Sequence, residues 1–386
     1  MKGSMRERGA GRWQLRAYEG VDDITGKARY RTRSFRGTKR QAQSALAALV
    51  AEVEAGVVAP KAITVGDLLE AWLTHIEHLG RSPTTLYGYR RLVLQLPAGF
   101  AGTPLSKVTP KLVDDLYKHL GTIGKRKPAT VLRYHTVLRA AFAQAARWGW
   151  VDRNPIERAT PPRVQRDEIR PPAVDDVLAV IDAAASSRNP ENALVFRLLA
   201  ATGCRRGEVC AIQWDDVDFE ADHATVAIRR GVVDVEGELI VKGTKTHAHR
   251  KVGLDPETAA LLRAQWTSAV ELGLAAGAPP QKDHFVFQRE PGSEEPLPPD
   301  RISQAWRRLC QESGVKARLH DLRHLQASML LDAGEAVATV AARLGHRDTS
   351  TTLKVYGHLM PGADTRAAGI VGSALQRTPA PQEHPP

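Results

Sequence analysis

Residues 151–172, VDRNPIERATPPRVQRDEIRPP, hold five prolines and five arginines and interrupt the apolar periodicity that runs on either side. Proline lacks the amide hydrogen and its ring clashes with the preceding turn, so neither a long helix nor a central strand can pass through such a stretch. A chain of 386 residues broken at that point must fold as more than one body. The stretch itself reads as a stiff, extended, basic linker.

Charge is unevenly distributed around this break. The formal net charge is +11, and residues 1–40 supply +8 of it through twelve Lys/Arg against four acids. Within that segment WQLRAY (13–18) and ARYRTRSF (28–35) alternate as strands do, with Asp22-Asp23 and Thr25-Gly26-Lys27 as the turn between them. Alternation puts Arg29, Arg31 and Arg33 on one face of their strand, opposite Tyr30. Thr38 can cap a helix running through Glu54. A small sheet and one helix bearing Arg16, Arg29, Arg31 and Arg33 suit contact with a DNA groove and its phosphates. The plainer alternative is a solvated basic hairpin kept for solubility, but such a surface normally mixes both signs.

After an apolar, Pro-containing connector at 55–63, four helices are expected between Thr64 and Asn154. Thr64 caps the first, Ser82-Pro83 and Thr109-Pro110 open the next two, and Pro128–Trp148 forms the longest. Basic residues including Arg133 cluster near the helix starts and turns. From Val174 to Leu375 the pattern begins and ends helical, with alternating strand segments at 224–235 and 238–254 around Gly237. Residues 376–386 are proline-rich and read as a disordered tail. The fold class expected is mainly α with small β elements, α+β. With 42% hydrophobic residues, three cysteines, no apolar leader and no run of 18 apolar residues, the expectation is a soluble intracellular protein with a polyanionic partner.

Four short segments carry more polar detail than packing requires: TGCRRGE (202–208), KGTKTH (242–247), HDLRH (320–324) and LGH (344–346) followed by Tyr356. Each has a bland reading, an exposed ion pair, a hairpin tip, a structural histidine. Together they offer two permanently charged guanidiniums, an ammonium, imidazoles and a phenol, the donors and proton carriers of a polyanion reaction centre. A zinc site is disfavoured: His320 and His324 stand four apart, but Asp321 follows the first and Arg323 lies between them. Cys204, Cys210 and Cys310 have no metal-ligand spacing, and no Walker-type glycine loop occurs.

In order and spacing these segments resemble the tyrosine recombinases, the phage integrase family. TGCRRGE is similar to the family's first-arginine motif, HDLRH to its His-x-x-Arg box, and LGH with Tyr356 to its last box, with one residue more than usual between His346 and Tyr356. Leu325-Gln326 stands where the family often has a polar-aromatic pair. The resemblance implies an arm-type DNA-binding domain at 1–56, a helical core-binding domain at 64–155, the linker at 156–172 and a catalytic domain at 173–375. It implies Tyr356 as nucleophile, forming a 3′-phosphotyrosyl link, and Arg205 and Arg323 gripping the phosphate. Lys245 would protonate the leaving oxygen, His320 would act on the tyrosine proton, His346 would donate a hydrogen bond, and Glu208 would support the cluster. It further implies no metal or other cofactor, attachment-site DNA as substrate, a homotetramer on DNA, room for a host DNA-bending protein and a directionality factor, no membrane, and a place on the bacterial nucleoid. A non-catalytic DNA-binding protein of the same fold and a type IB topoisomerase are the competing expectations.

Overall fold

The computed structural model describes residues 3–21, 27–54, 63–165, 171–220, 223–243, 249–346, 348–356, 368, 369 and 371. The architecture is α+β, mainly helical with small antiparallel sheets, and the chain divides into two compact units, Met1–Val164 and Gln165–Pro386. The expected hairpin turn at 22–26 and the tail at 376–386 lie outside the described residues.

The first unit opens with strands β1 (Gly3–Gly9), β2 (Arg12–Val21) and β3 (Ala28–Arg36), an antiparallel meander, followed by helix α1 (Lys39–Glu54). Alternation along β2 turns Trp13, Leu15 and Ala17 toward Ala42 and Leu49 of α1. Thr38 and Gln41 exchange hydrogen bonds at the helix start, the capping arrangement the sequence predicts. Strand β1 was not expected, because Met5 is its one large apolar residue packed toward the core and the strand signal is correspondingly weak.

A separate core in this unit is helical: α2 (Val65–His78), α3 (Pro83–Leu94), the short α4 (Ala98–Ala101), α5 (Pro110–Thr122) and α6 (Pro128–Arg147). Thr64 and Asp67 close a capping box on α2, and Thr109 caps α5. Leu68, Leu69, Val113, Tyr134, Leu138 and Phe142 meet in its interior.

The proline-rich stretch departs from a free linker at its start. Asn154 caps a 3-10 turn at Pro155–Arg158, and Ile156 is wholly buried in the helical core. The isoleucine is the reason: in a segment otherwise polar and proline-bound, its burial draws the backbone onto α5 and α6.

The second unit contains α7 (Val174–Ala185), α8 (Glu191–Thr202), α9 (Arg206–Val209), β4 (Val217–Asp218), β5 (Thr225–Ile228), β6 (Arg230–Val235), β7 (Glu238–Gly243), β8 (Arg250–Gly253), α10 (Pro256–Ala275), α11 (Pro299–Glu312), α12 (Asp321–Asp332), α13 (Val337–Leu344) and α14 (Thr349–Tyr356). One sheet has the order β4-β5-β8, and β6-β7 is a hairpin. A large core formed by α8, α11 and the strands includes Phe196 edge-on to Trp306, with Val226, Val252 and Phe287. A smaller cluster, Ala327, Leu331, Val340 and Leu344, joins α12 to α13. Among the described residues no helix is long and apolar enough to cross a membrane.

Ile156→Ala is expected to lower the stability of the helical core by about 2–4 kcal/mol. Hydrogen exchange of the α6 amides measures this directly; unchanged protection would return Pro155–Arg158 to the linker.

Candidate active site

The site is built where α8 ends. Gly203 leaves the helix with φ +62°, and a Cβ there would overlap the Gln326 side-chain oxygen. Arg205 follows in extended conformation at the N-cap of α9. Gly207 lets α9 lie against β6, since a Cβ would run into the Val232 carbonyl oxygen. The two glycines of TGCRRGE thus set where Arg205 and Glu208 sit.

Glu208 is buried, so its pair with Arg205 is not the exposed ion pair of the bland reading. Its carboxylate accepts from the Arg205 amide at 2.9 Å, from the Arg205 guanidinium at 2.8 Å and from Arg250 at 2.6 Å. Burial by itself opposes ionisation of Glu208. The hydrogen bond and charge of Arg250, with the amide and charge of Arg205, outweigh it and hold the carboxyl below its usual range.

Arg250 is the residue that sequence reasoning missed. It also donates to the Arg343 carbonyl at 2.9 Å, joining β8 to α13. The available signal was its place in an alternating strand, two residues before the buried Val252, where an inward arginine needs a partner.

Arg323 is buried on the first turn of α12 and donates to the Gly203 carbonyl at 2.5 Å. Gln326, one turn on, donates to the Ala201 carbonyl at 2.6 Å. Asp321 accepts from the Arg318 amide at 2.8 Å, tying down the turn that presents His320. The His320 and His324 rings meet edge to face with centroids 5.0 Å apart. His346 follows α13, and its Nδ1 lies 2.8 Å from the hydroxyl of the fully buried Thr352 on α14.

Tyr356 ends α14; its side chain lies outside the described residues, as does Lys245 in the segment 244–248 between β7 and β8. The structure therefore brings Arg205, Glu208, His320, Arg323 and His346 to the meeting of α8, α9, α12 and α13. It places the helix ending in Tyr356 against α12 and α13.

The local field is positive. Burial, then His324, Arg323 and Arg205, with Asp321 opposing, push His320 down to about 4. Burial, then Arg323, Arg205, Arg250 and His320, do the same to His346, also to about 4. Both shifts favour the neutral ring at neutral pH. Burial pushes the Cys204 thiol up to about 11, which keeps it protonated and unreactive beside Arg205. A cleft of about 560 Å³ adjoins these groups, with Trp306 and Leu322 in its walls and Arg205, His320 and Arg323 along it.

The first unit carries a second cationic surface. Cross-strand register pairs Ser4 with Arg16, Arg16 with Thr32 and Tyr18 with Tyr30, placing them on the sheet face away from α1. The Arg16 guanidinium stacks 3.7 Å from the Tyr30 ring centroid, beside Arg6, Arg8 and Gln14 in a concavity of about 390 Å³. Arg31 and Arg33 pair with Ala17 and Leu15 and so belong to the α1 side, as does the alternating Arg29. The four arginines expected to act together are thus divided between two faces, because Arg16 and its antiparallel neighbours obey the two-residue period of the pleat. Arg133 is exposed on α6.

Glu208→Gln leaves Arg250 without its buried counter-charge and is expected to cost about 3 kcal/mol. The carboxyl is more acidic in the folded chain than in the unfolded one. Its contribution is therefore complete above the unfolded pKa of about 4.3 and lost as pH falls through the folded value. The two histidines act higher: the unfolded chain takes up their protons first, so stability falls between pH of about 6.5 and about 4. Melting against pH should show both losses, and Glu208→Gln should remove the lower one alone.

Comparison with known proteins gives this geometry its context. The profile of the phage integrase family matches residues 173–362. The ICEBs1 integrase of Bacillus subtilis (strain 168) is 26% identical over 379 residues, covering 95% of this chain and 98% of the relative. The fold is similar to that of the Tn1549 transposon integrase in complex with a circular intermediate DNA, with TM-score 0.66 at 18% identity over 80% of this chain and 99% of that one. It is also similar to lambda integrase in a tetramer bound to a Holliday junction, with TM-score 0.57 at 19% identity over 90% and 96% of the two chains. With the arginine, histidine and tyrosine segments in the order described, this chain belongs to the phage integrase family, the tyrosine recombinases.

Proposed function

We propose that this chain is a site-specific tyrosine recombinase of integrase type, which cuts and rejoins DNA to move a mobile element into or out of a host sequence. The observation that carries the reading is the convergence of Arg205, Arg323, His320 and His346 around the buried Glu208–Arg250 pair, against the helix that ends in Tyr356. Binding alone gains nothing from two neutral imidazoles and a phenol at that place.

In this reading the Tyr356 oxygen attacks the scissile phosphorus, its proton passing to His320. The P–O bond to the 5′-oxygen breaks as the tyrosyl–phosphate bond forms, and Lys245 gives its proton to the departing 5′-oxygen, which leaves as the hydroxyl. Arg205 and Arg323 hold the non-bridging oxygens and carry the charge that develops on them, and His346 adds one donor. A neutral His320 can accept a proton, and the added negative charge of the phosphate raises its basicity as the substrate arrives. The phosphotyrosyl ester retains the energy of the phosphodiester, so religation by the 5′-hydroxyl of another strand needs no nucleotide.

The open face of the N-terminal sheet, with Arg6, Arg8, Arg16 and Tyr30, is the surface offered to arm DNA, with residues 1–56 acting as that domain. Arg29, Arg31 and Arg33 reach phosphates from the sheet edge, and Arg133 contacts the backbone from the helical core. A homotetramer on two duplexes, a host DNA-bending protein, a directionality factor and a place on the bacterial nucleoid complete the proposal.

A nicked duplex spanning the junction between the encoding element and its neighbouring DNA tests the chemistry. A denaturant-resistant adduct is expected from the unaltered chain and none from Tyr356→Phe; an adduct that survives the change overturns the assignment of the nucleophile. Arg16→Ala is expected to reduce the slope of log affinity against log salt on duplex DNA by about 0.9, the mark of one lost phosphate contact.

A further inference from the structure

Thr352 lies four residues before Tyr356, one turn earlier on the same face of α14, and none of its surface is exposed. Its hydroxyl is 2.8 Å from Nδ1 of His346. The backbone of His346 is itself fixed, its amide donating to the Ala341 carbonyl at 2.9 Å. The histidine is therefore anchored to α13 by its main chain and to α14 by its ring.

The tautomer of a neutral imidazole is set by the partner of one nitrogen, and the other nitrogen then has the opposite role. If Thr352 accepts from Nδ1, Nε2 carries a lone pair, which repels a phosphate oxygen. If Thr352 donates to Nδ1, Nε2 carries hydrogen and becomes a donor. Burial, with the surrounding Arg323, Arg205 and Arg250, disfavours a third, doubly protonated form in the free chain. A buried hydroxyl must place its hydrogen on an acceptor, and Nδ1 is within reach.

We infer that Thr352 is a positioning residue: its hydroxyl holds His346 with hydrogen on Nε2, and does so only while the helix ending in Tyr356 is seated. The inference rests on the recombinase reading and deepens it. Withdrawal of α14 breaks the bond, frees the ring to change tautomer and removes the donor. The donor to the phosphate is thus set in step with the arrival of the nucleophile, which disfavours a half-assembled site.

The test compares the unaltered full chain with Thr352→Val, which keeps the shape and loses the hydroxyl, and Thr352→Ser, which keeps the hydroxyl. Adduct formation on the nicked junction duplex is followed at saturating DNA, with affinity for that duplex measured separately. In parallel, nitrogen-15 spectra of the histidine rings report the His346 tautomer in free protein. Thr352→Val is expected to slow adduct formation by about tenfold or more, leave affinity within about twofold, and shift His346 away from the Nε2–H form; Thr352→Ser is expected to restore both. A Thr352→Val rate close to that of the unaltered chain, a His346 that keeps its Nε2–H signal, or a serine variant as slow as the valine variant overturns the proposal. If the unaltered chain forms no adduct, the recombinase reading fails, and the ring spectra alone decide whether Thr352 sets the tautomer.

Discussion

The buried Glu208 carboxylate organises the second unit. Removing a carboxylate from water costs several kcal/mol unless charge and hydrogen bonds replace the lost solvation. Here the replacements come from Arg205 at the start of α9 and Arg250 on β8, 42 residues further along the chain from Glu208. Satisfying one acid therefore brings a helix start and a strand together. It also holds the partly exposed Arg205 guanidinium by its Nη1, so this side chain is oriented before any anion arrives. Orientation in advance is what an anion-stabilising group needs, since reorganisation during the reaction would offset its effect.

A second constraint acts at the end of α8. The last carbonyls of a helix have no partner within it and carry the negative end of its dipole. Ala201 accepts from Gln326 and Arg343, and Gly203 accepts from Arg323. The same contacts that complete α8 dock α12 and α13 onto it. Arg323 is held by this docking, so its position is a consequence of closing the fold. Gln326, in the pair that stands where the family often has a polar-aromatic one, is one of these closing donors.

Much of the local structure was legible from chemistry within a few residues. Thr64, Thr109 and Pro128 mark their helix starts, each by a side-chain cap or a proline in the first turn. Strand β1 and the 3-10 turn at Pro155–Arg158 were not, because each depends on one apolar residue whose burial is decided by distant helices. Arg250 and Thr352 escaped for a related reason. An arginine in a strand and a threonine in a helix are ordinary residues until Glu208 and His346 are brought beside them.

By itself the sequence determined the basic surface, the helical capping, the α+β class and the set of groups capable of phosphoryl chemistry, since periodicity, capping and charge are properties of neighbours along the chain. Only the tertiary structure decided that Glu208 is buried rather than solvated, that Arg250 completes its pairing, that Arg16 and Arg31 face opposite sides of their sheet, and that the His346 ring lies beside the Thr352 hydroxyl. Those outcomes depend on residues many positions apart sharing one small volume of low dielectric, where a hydrogen bond or a charge counts for far more than it does in water.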